Sequence, residues 1–107
     1  MGAPRIVAVA TATPPHRFDQ ATLLRIAGYG DALRAGFFTN SQIDGRHLYL
    51  DPETFTPDES VDEVQARFRR GAIELGADAV QRVAERAGWD LADVDFITTT
   101  TCTGRLC

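Results

Sequence analysis

Two thiols and a run of hydroxyls near the end of this sequence are its first candidates for chemistry. Phe96-Ile97-Thr98-Thr99-Thr100-Thr101-Cys102-Thr103-Gly104-Arg105-Leu106-Cys107 reads as a β-branched strand running into a small polar turn. In open α/β sheets, ligands bind at the carboxyl ends of strands. A cysteine attacks only as its thiolate, which needs a base or cation beside it. No histidine is near Cys102 in the sequence, so nucleophile is its least supported reading; pocket wall and ordinary buried thiol both stand. Thr103 either lines that pocket or has its hydroxyl satisfied by the turn's own backbone. Two cysteines five positions apart make neither a metal quartet nor a disulfide framework. They read as reduced thiols of a cytoplasmic protein. His47 sits in an apolar alternation with Leu48 and Leu50, which predicts a structural role. His16, after Pro14-Pro15, is expected at the surface. No acidic cluster has metal-ligand spacing, and Gly28-x-Gly30 lacks the preceding strand that a phosphate loop requires. No metal site and no catalytic residue is expected within these residues.

The elements that must position these groups follow from pattern. Arg5 to Ala12 is a small-apolar run and predicts a strand buried on both faces, closed by Pro14-Pro15. Asp19 and Asp31 are N-cap candidates for two short helices, broken at Gly28 and Gly30. Ile43 to Leu50 reads as an irregular extended segment, and Asp51 to Ser60 as a surface loop. Ser60-Val61-Asp62-Glu63 has the form of a capping box. It opens a helix predicted from Val61 to Ala87, with Val61, Val64, Phe68, Ala72, Leu75, Ala79 and Val83 in one stripe and Gly88 as its stop. Gly71 and Gly76 weaken that helix by about 1 kcal/mol each. At about 40 Å, it is long for a domain of 107 residues and favours a larger parent.

Composition excludes some functions. The formal net charge is −4, and all eleven basic residues are Arg. That balance argues against a nucleic-acid surface; the densest basic cluster, Arg67, Arg69 and Arg70, is expected on a solvated helix face. No apolar run approaches membrane-spanning length, and no secretory signal is visible.

Four stretches together resemble the N-terminal part of the type III polyketide synthases, the chalcone/stilbene synthase family of the thiolase superfamily. They are Ala10-Thr11-Ala12-Thr13-Pro14-Pro15 with Gln20, and Phe38 to Leu50 with its Ser41-Gln42-Ile43 and Arg46-His47. The capped helix ending Ala87-Gly88-Trp89 with Leu91 to Asp95, and Thr100-Thr101-Cys102-Thr103-Gly104, complete the set. The order covers essentially the whole chain. Ketoacyl-ACP synthase III enzymes share the first and third stretches and are the runner-up. A small acidic domain that binds a protein partner, or one that completes a split enzyme, is the alternative from another class.

The resemblance implies a partial thiolase-like α/β fold: N-terminal strand, helices, long helix and active-site strand, layered αβα in the intact parent. It implies that residues 1–107 are the N-terminal portion of such a domain, ending before the nucleophilic cysteine of a Cys-His-Asn triad. It implies an acyltransferase that condenses an acyl-CoA starter with malonyl-CoA by decarboxylative Claisen condensation, without a further cofactor, in a homodimeric parent. The isolated chain is then expected to be inactive. By motif position, Cys102 and Thr103 match pocket-lining residues, and Cys107 matches a residue that reaches across the dimer interface. The positions matching coenzyme A contacts of plant relatives hold Leu33, Gly36 and Asn40, none basic. Arg34, one position away, is the weak candidate for a phosphate contact; a solvated surface Arg is the competing reading.

Overall fold

The computed structural model describes residues 2–102 and Gly104. In chain order it contains β1 (Arg17–Asp19), α1 (Gln20–Ala27), α2 (Ala32–Thr39), β2 (Gly45–His47), α3 (Val61–Ala87) and a 3-10 turn at Leu91–Asp93. Each α-helix starts where a side chain can satisfy a free backbone N–H. The Asp19 carboxylate accepts from the Thr22 amide at 2.7 Å, and Asp31 accepts from the Arg34 amide at 2.9 Å. At α3 the capping box forms in full. The Ser60 hydroxyl accepts from the Glu63 amide at 3.3 Å, and the Glu63 carboxylate accepts from the Ser60 amide at 2.7 Å. Gly28 and Gly88 end α1 and α3 in the left-handed region, at φ 70° and 69°.

β1 and β2 pair antiparallel, with Arg17 opposite His47, Phe18 opposite Arg46 and Asp19 opposite Gly45. The Leu48 amide donates to the His16 carbonyl at 3.2 Å and carries the pairing one step further. Phe18, on β1, and Leu23, on α1, are the buried hydrophobic residues among those described. α1 and α2 pack beside this small core, where the Tyr29 and Phe38 rings lie 6.1 Å apart. α3 runs unbroken through both interior glycines. Gly71 is buried because the Tyr49 ring lies directly on it; a Cβ there would stand 2.9 Å from Tyr49 Cγ. Gly76 faces open space.

Four expectations need correction. Arg5 to Ala12 joins no sheet and is not buried on both faces; Ile6 is 85% and Val9 65% exposed. Phe96 to Thr100 forms no strand, and Phe96 is 83% exposed. A strand exists only by pairing, and the described residues supply neither segment with a neighbour. The predicted layered architecture is therefore present only as helices around a two-stranded sheet. Last, Arg67 is not a solvated helix-face residue, because it is drawn into an ion pair described below. The stripe of α3 is half-buried from Phe68 to Val83, while Val61 and Val64 are exposed. The radius of gyration is 17.9 Å, against about 13 Å for a compact domain of this length.

Candidate functional site

The Ser41-Gln42-Ile43 segment is a tight junction between α2 and β2. Ser41 Oγ donates to the Phe38 carbonyl at 2.9 Å, and accepts from the Ile43 amide at 3.3 Å. From the start of α1, the Gln20 side chain reaches the same point. Its Nε2 donates to Ser41 Oγ at 2.5 Å and to the Phe38 carbonyl at 3.2 Å. Gln20 and Ser41 belong to two of the stretches that carry the family resemblance, and they meet here across 21 positions of sequence. Gln42 takes φ 57°, uncommon for a residue other than glycine. The junction thus fixes where α2 ends and where β2 begins. Gln20 Oε1 is buried without a partner.

On the outer side of this junction, Leu33, Gly36 and Asn40 share a concavity of about 590 Å³ with Ala32, Phe37 and Ser41. These include the three positions that match coenzyme A contacts in plant relatives, and the structure brings them together on one face. The lining is apolar except for the Asn40 amide and the Ser41 hydroxyl, so it offers van der Waals contact and few hydrogen bonds. Arg34 is not part of the lining. Its guanidinium lies 5.1 Å from the Tyr29 ring centroid, and its Nε lies 3.6 Å from Asp31. Its side chain is 61% exposed, so this pair is weak and the guanidinium can swing to another anion.

Cys102 is exposed and free, not the buried thiol that one reading expected. Close by, the Gly104 amide donates to Thr101 Oγ1 at 3.5 Å. Gly104 sits against the Phe68 ring so tightly that a Cβ would overlap it. Gly104 therefore lies against α3. Thr103 and Cys107 lie outside the described residues. His16 is exposed, as expected. His47 Nδ1 lies 2.9 Å from the Pro14 carbonyl, so that nitrogen carries the proton and the ring is a structural clip. Among the described residues there is no cluster of three or more His, Cys, Asp or Glu able to hold a metal ion.

A second cleft, about 480 Å³, was not foreseen from sequence. Tyr49, Leu50, Phe55, Glu59, Arg67 and Glu74 contribute to its walls. Arg67 grips Glu59 with both ends of its fork, at 3.0 Å from Nε and 2.5 Å from Nη2. It also lies 5.6 Å from the Phe55 ring centroid. The Tyr49 hydroxyl donates to Glu74 Oε2 at 2.6 Å. That hydrogen bond to a carboxylate favours the neutral phenol and raises the Tyr49 pKa. The Arg67–Glu59 and Tyr49–Glu74 pairs hold the Asp51–Ser60 loop and Tyr49 against α3. The Ser60–Glu63 cap and the Gly71 gap were the sequence signals available; the Arg67–Glu59 partnership had none.

No protein-family model and no solved structure matches the chain. Two curated proteins do, as type III polyketide synthases matched in their N-terminal part. The chain is 33% identical over 106 residues to 3,5-dihydroxyphenylacetyl-CoA synthase of Streptomyces toyocaensis. That match covers 96% of this chain and 27% of the relative. It is 28% identical over 106 residues to 1,3,6,8-tetrahydroxynaphthalene synthase of Streptomyces peucetius subsp. caesius, covering 92% of this chain and 28% of the relative. The chain thus spans little more than a quarter of the length of the curated relatives it matches.

Proposed function

We propose that this chain, similar over nearly all its length to the N-terminal part of type III polyketide synthases, serves an acyltransferase that condenses an acyl-CoA starter with malonyl-CoA. The observation that carries the reading is the 33% identity sustained over 106 residues. The Gln20–Ser41 contact supports it, because it ties together two of the stretches on which the resemblance rests.

In this chemistry a cysteine thiolate takes the acyl group from coenzyme A. Malonyl-CoA then loses carbon dioxide, and the electron pair left on its α-carbon attacks the acyl thioester carbonyl. The carbon–sulfur bond breaks and the thiolate is released. The residues described here would shape and bind. Cys102 and Thr103 would wall the pocket, Cys107 would stand at the boundary with a second subunit, and the α2 concavity would receive the thioester arm. Arg34, freed from Asp31, would meet a phosphate. None of these groups is asked to make or break a bond, so the isolated chain is expected to release no coenzyme A from malonyl-CoA and an acyl-CoA starter. A thiol-release assay tests this, and steady turnover by the isolated chain would refute it.

A further inference from the structure

Four charged residues of α3 line the cleft of about 480 Å³: Glu63, Arg67, Arg70 and Glu74. Steps of four, three and four positions put them on one face of the helix. Spacing alone would pair them with each other, Glu63 with Arg67 and Arg70 with Glu74. The structure pairs them elsewhere. Glu63 accepts from the Ser60 amide at 2.7 Å, and Arg67 is taken by Glu59. Glu74 accepts from the Tyr49 hydroxyl at 2.6 Å. Arg70 is left over: among the described residues, no hydrogen bond or ion pair engages its guanidinium. It stands close to the Tyr49–Glu74 bond, because its charge opposes the rise in the Tyr49 pKa.

The facing wall is held by its own bonds. The Asp51 carboxylate accepts from the Glu53 amide at 2.9 Å, and the Asp51 carbonyl accepts from the Phe55 amide at 2.9 Å. This turn sets Thr54, Phe55 and Thr56 along the cleft, and neither threonine hydroxyl has a partner among the described residues. The unmet demand is therefore for an acceptor. Every carboxylate of the lining already accepts a hydrogen bond, whereas the Arg70 guanidinium and the two hydroxyls have donors to spare. Asp51, Glu59, Glu63 and Glu74 against Arg67 and Arg70 leave the cleft two negative charges. That balance tolerates one negative charge set directly on Arg70 and opposes a dianion. Leu48, Leu50 and Phe55 supply apolar wall for the rest of a ligand. The volume falls within the range of about 300–1,000 Å³ typical of small-molecule sites.

We propose that this cleft binds an amphiphilic monocarboxylate. Arg70 holds its carboxylate through the fork of the guanidinium, and its apolar body lies against Leu48, Leu50 and Phe55. The site shares no lining residue with the α2 concavity, and it stands independently of the function proposed above.

Octanoate is the probe, titrated into the isotopically labelled chain at neutral pH and low salt while amide resonances are followed. Saturable shifts are expected at Thr54, Phe55 and Arg70. Arg70→Gln should weaken binding by about tenfold or more, and Arg70→Lys should fall between the two. Arg70 is exposed, so circular dichroism should show the same helix content in all three chains. Octanamide, the uncharged isostere, should bind the unaltered chain at least about tenfold more weakly than octanoate. This comparison decides the matter even if the Arg70 variants fail to fold. Absence of octanoate shifts, or equal affinity for octanoate and octanamide, would overturn the inference. So would equal affinity of a folded Arg70→Gln and the unaltered chain for octanoate. Tighter binding of octylammonium would show that the cleft's net charge, not Arg70, selects the ligand. Inorganic phosphate binding as tightly as octanoate would remove the monocarboxylate from the account.

Discussion

Replacing Gly71 by Ala sets two effects against each other on one atom. In an open helix position, Ala is worth about 1 kcal/mol over Gly. At Gly71, however, the new Cβ would stand 2.9, 3.0 and 3.2 Å from Tyr49 Cγ, Cδ1 and Cδ2. Ordinary contact begins at 3.4 Å, so the ring must retreat by about 0.5 Å. That retreat stretches the 2.6 Å hydrogen bond from Tyr49 to Glu74. It also strains the loop that carries Tyr49, and overpacking of this kind costs about 1–3 kcal/mol. The crowding outweighs the helix gain, and Gly71→Ala is expected to destabilise the chain by about 1–2 kcal/mol. Gly76 lies in the same helix with nothing within 4 Å of its would-be Cβ. Gly76→Ala should therefore stabilise by about 1 kcal/mol. Urea unfolding of the two variants, followed by helical circular dichroism, reads the difference directly. The double variant Gly71→Ala with Tyr49→Ala should lose less than the two single losses summed, since the ring that resists the methyl is gone. Equal stabilisation by Gly71→Ala and Gly76→Ala would refute the claim that Tyr49 is seated on Gly71.

Two further predictions concern ionisation. The Tyr49 pKa is raised by its hydrogen bond to Glu74, with burial and the Glu74 charge adding to it. A raised folded pKa gives stability that is present below the ordinary phenol range and is lost as pH rises through the folded value. Glu74→Gln should lower the Tyr49 pKa toward its ordinary value, read by ultraviolet titration of the phenolate in a Tyr29→Phe background; no change would remove the hydrogen bond from the account. Glu63 behaves in the opposite sense. Its pKa is lowered by the Ser60 backbone amide first and the Ser60 hydroxyl second. Its contribution is present above the ordinary carboxylate range and is lost as pH falls through the lowered value. Ser60→Ala should cost about 1 kcal/mol near neutral pH, with the loss shrinking in acid; a pH-independent loss in denaturant titrations would contradict the bond that the Ser60 hydroxyl donates to the Glu63 carboxylate at 2.7 Å.

The helices were legible because their signals are local. Asp19, Asp31 and Ser60 sit immediately before helical runs, and each side chain has only to reach an amide three residues on. Gly88 stops α3 because it takes a left-handed conformation at little cost. The strands were not legible in the same way. Ile6-Val7-Ala8-Val9 and Phe96-Ile97 carry β propensity, but propensity describes fit to a neighbouring strand and cannot create one. Gly71 shows the limit of reading a residue alone. In the sequence it is a weak point of a helix, and only the Tyr49 ring reveals it as a seat.

The candidate site divides along the same line. The sequence by itself determined the helix ends and the structural role of His47. Its motif order also supplied the resemblance to type III polyketide synthases, because these depend on residue type and near spacing. Only the tertiary structure joined Gln20 to Ser41 across 21 positions and paired Arg67 with Glu59. It also exposed Cys102 and left Arg5–Ala12 outside the sheet. Contacts between distant residues depend on the path of the whole chain, and no local pattern carries that information.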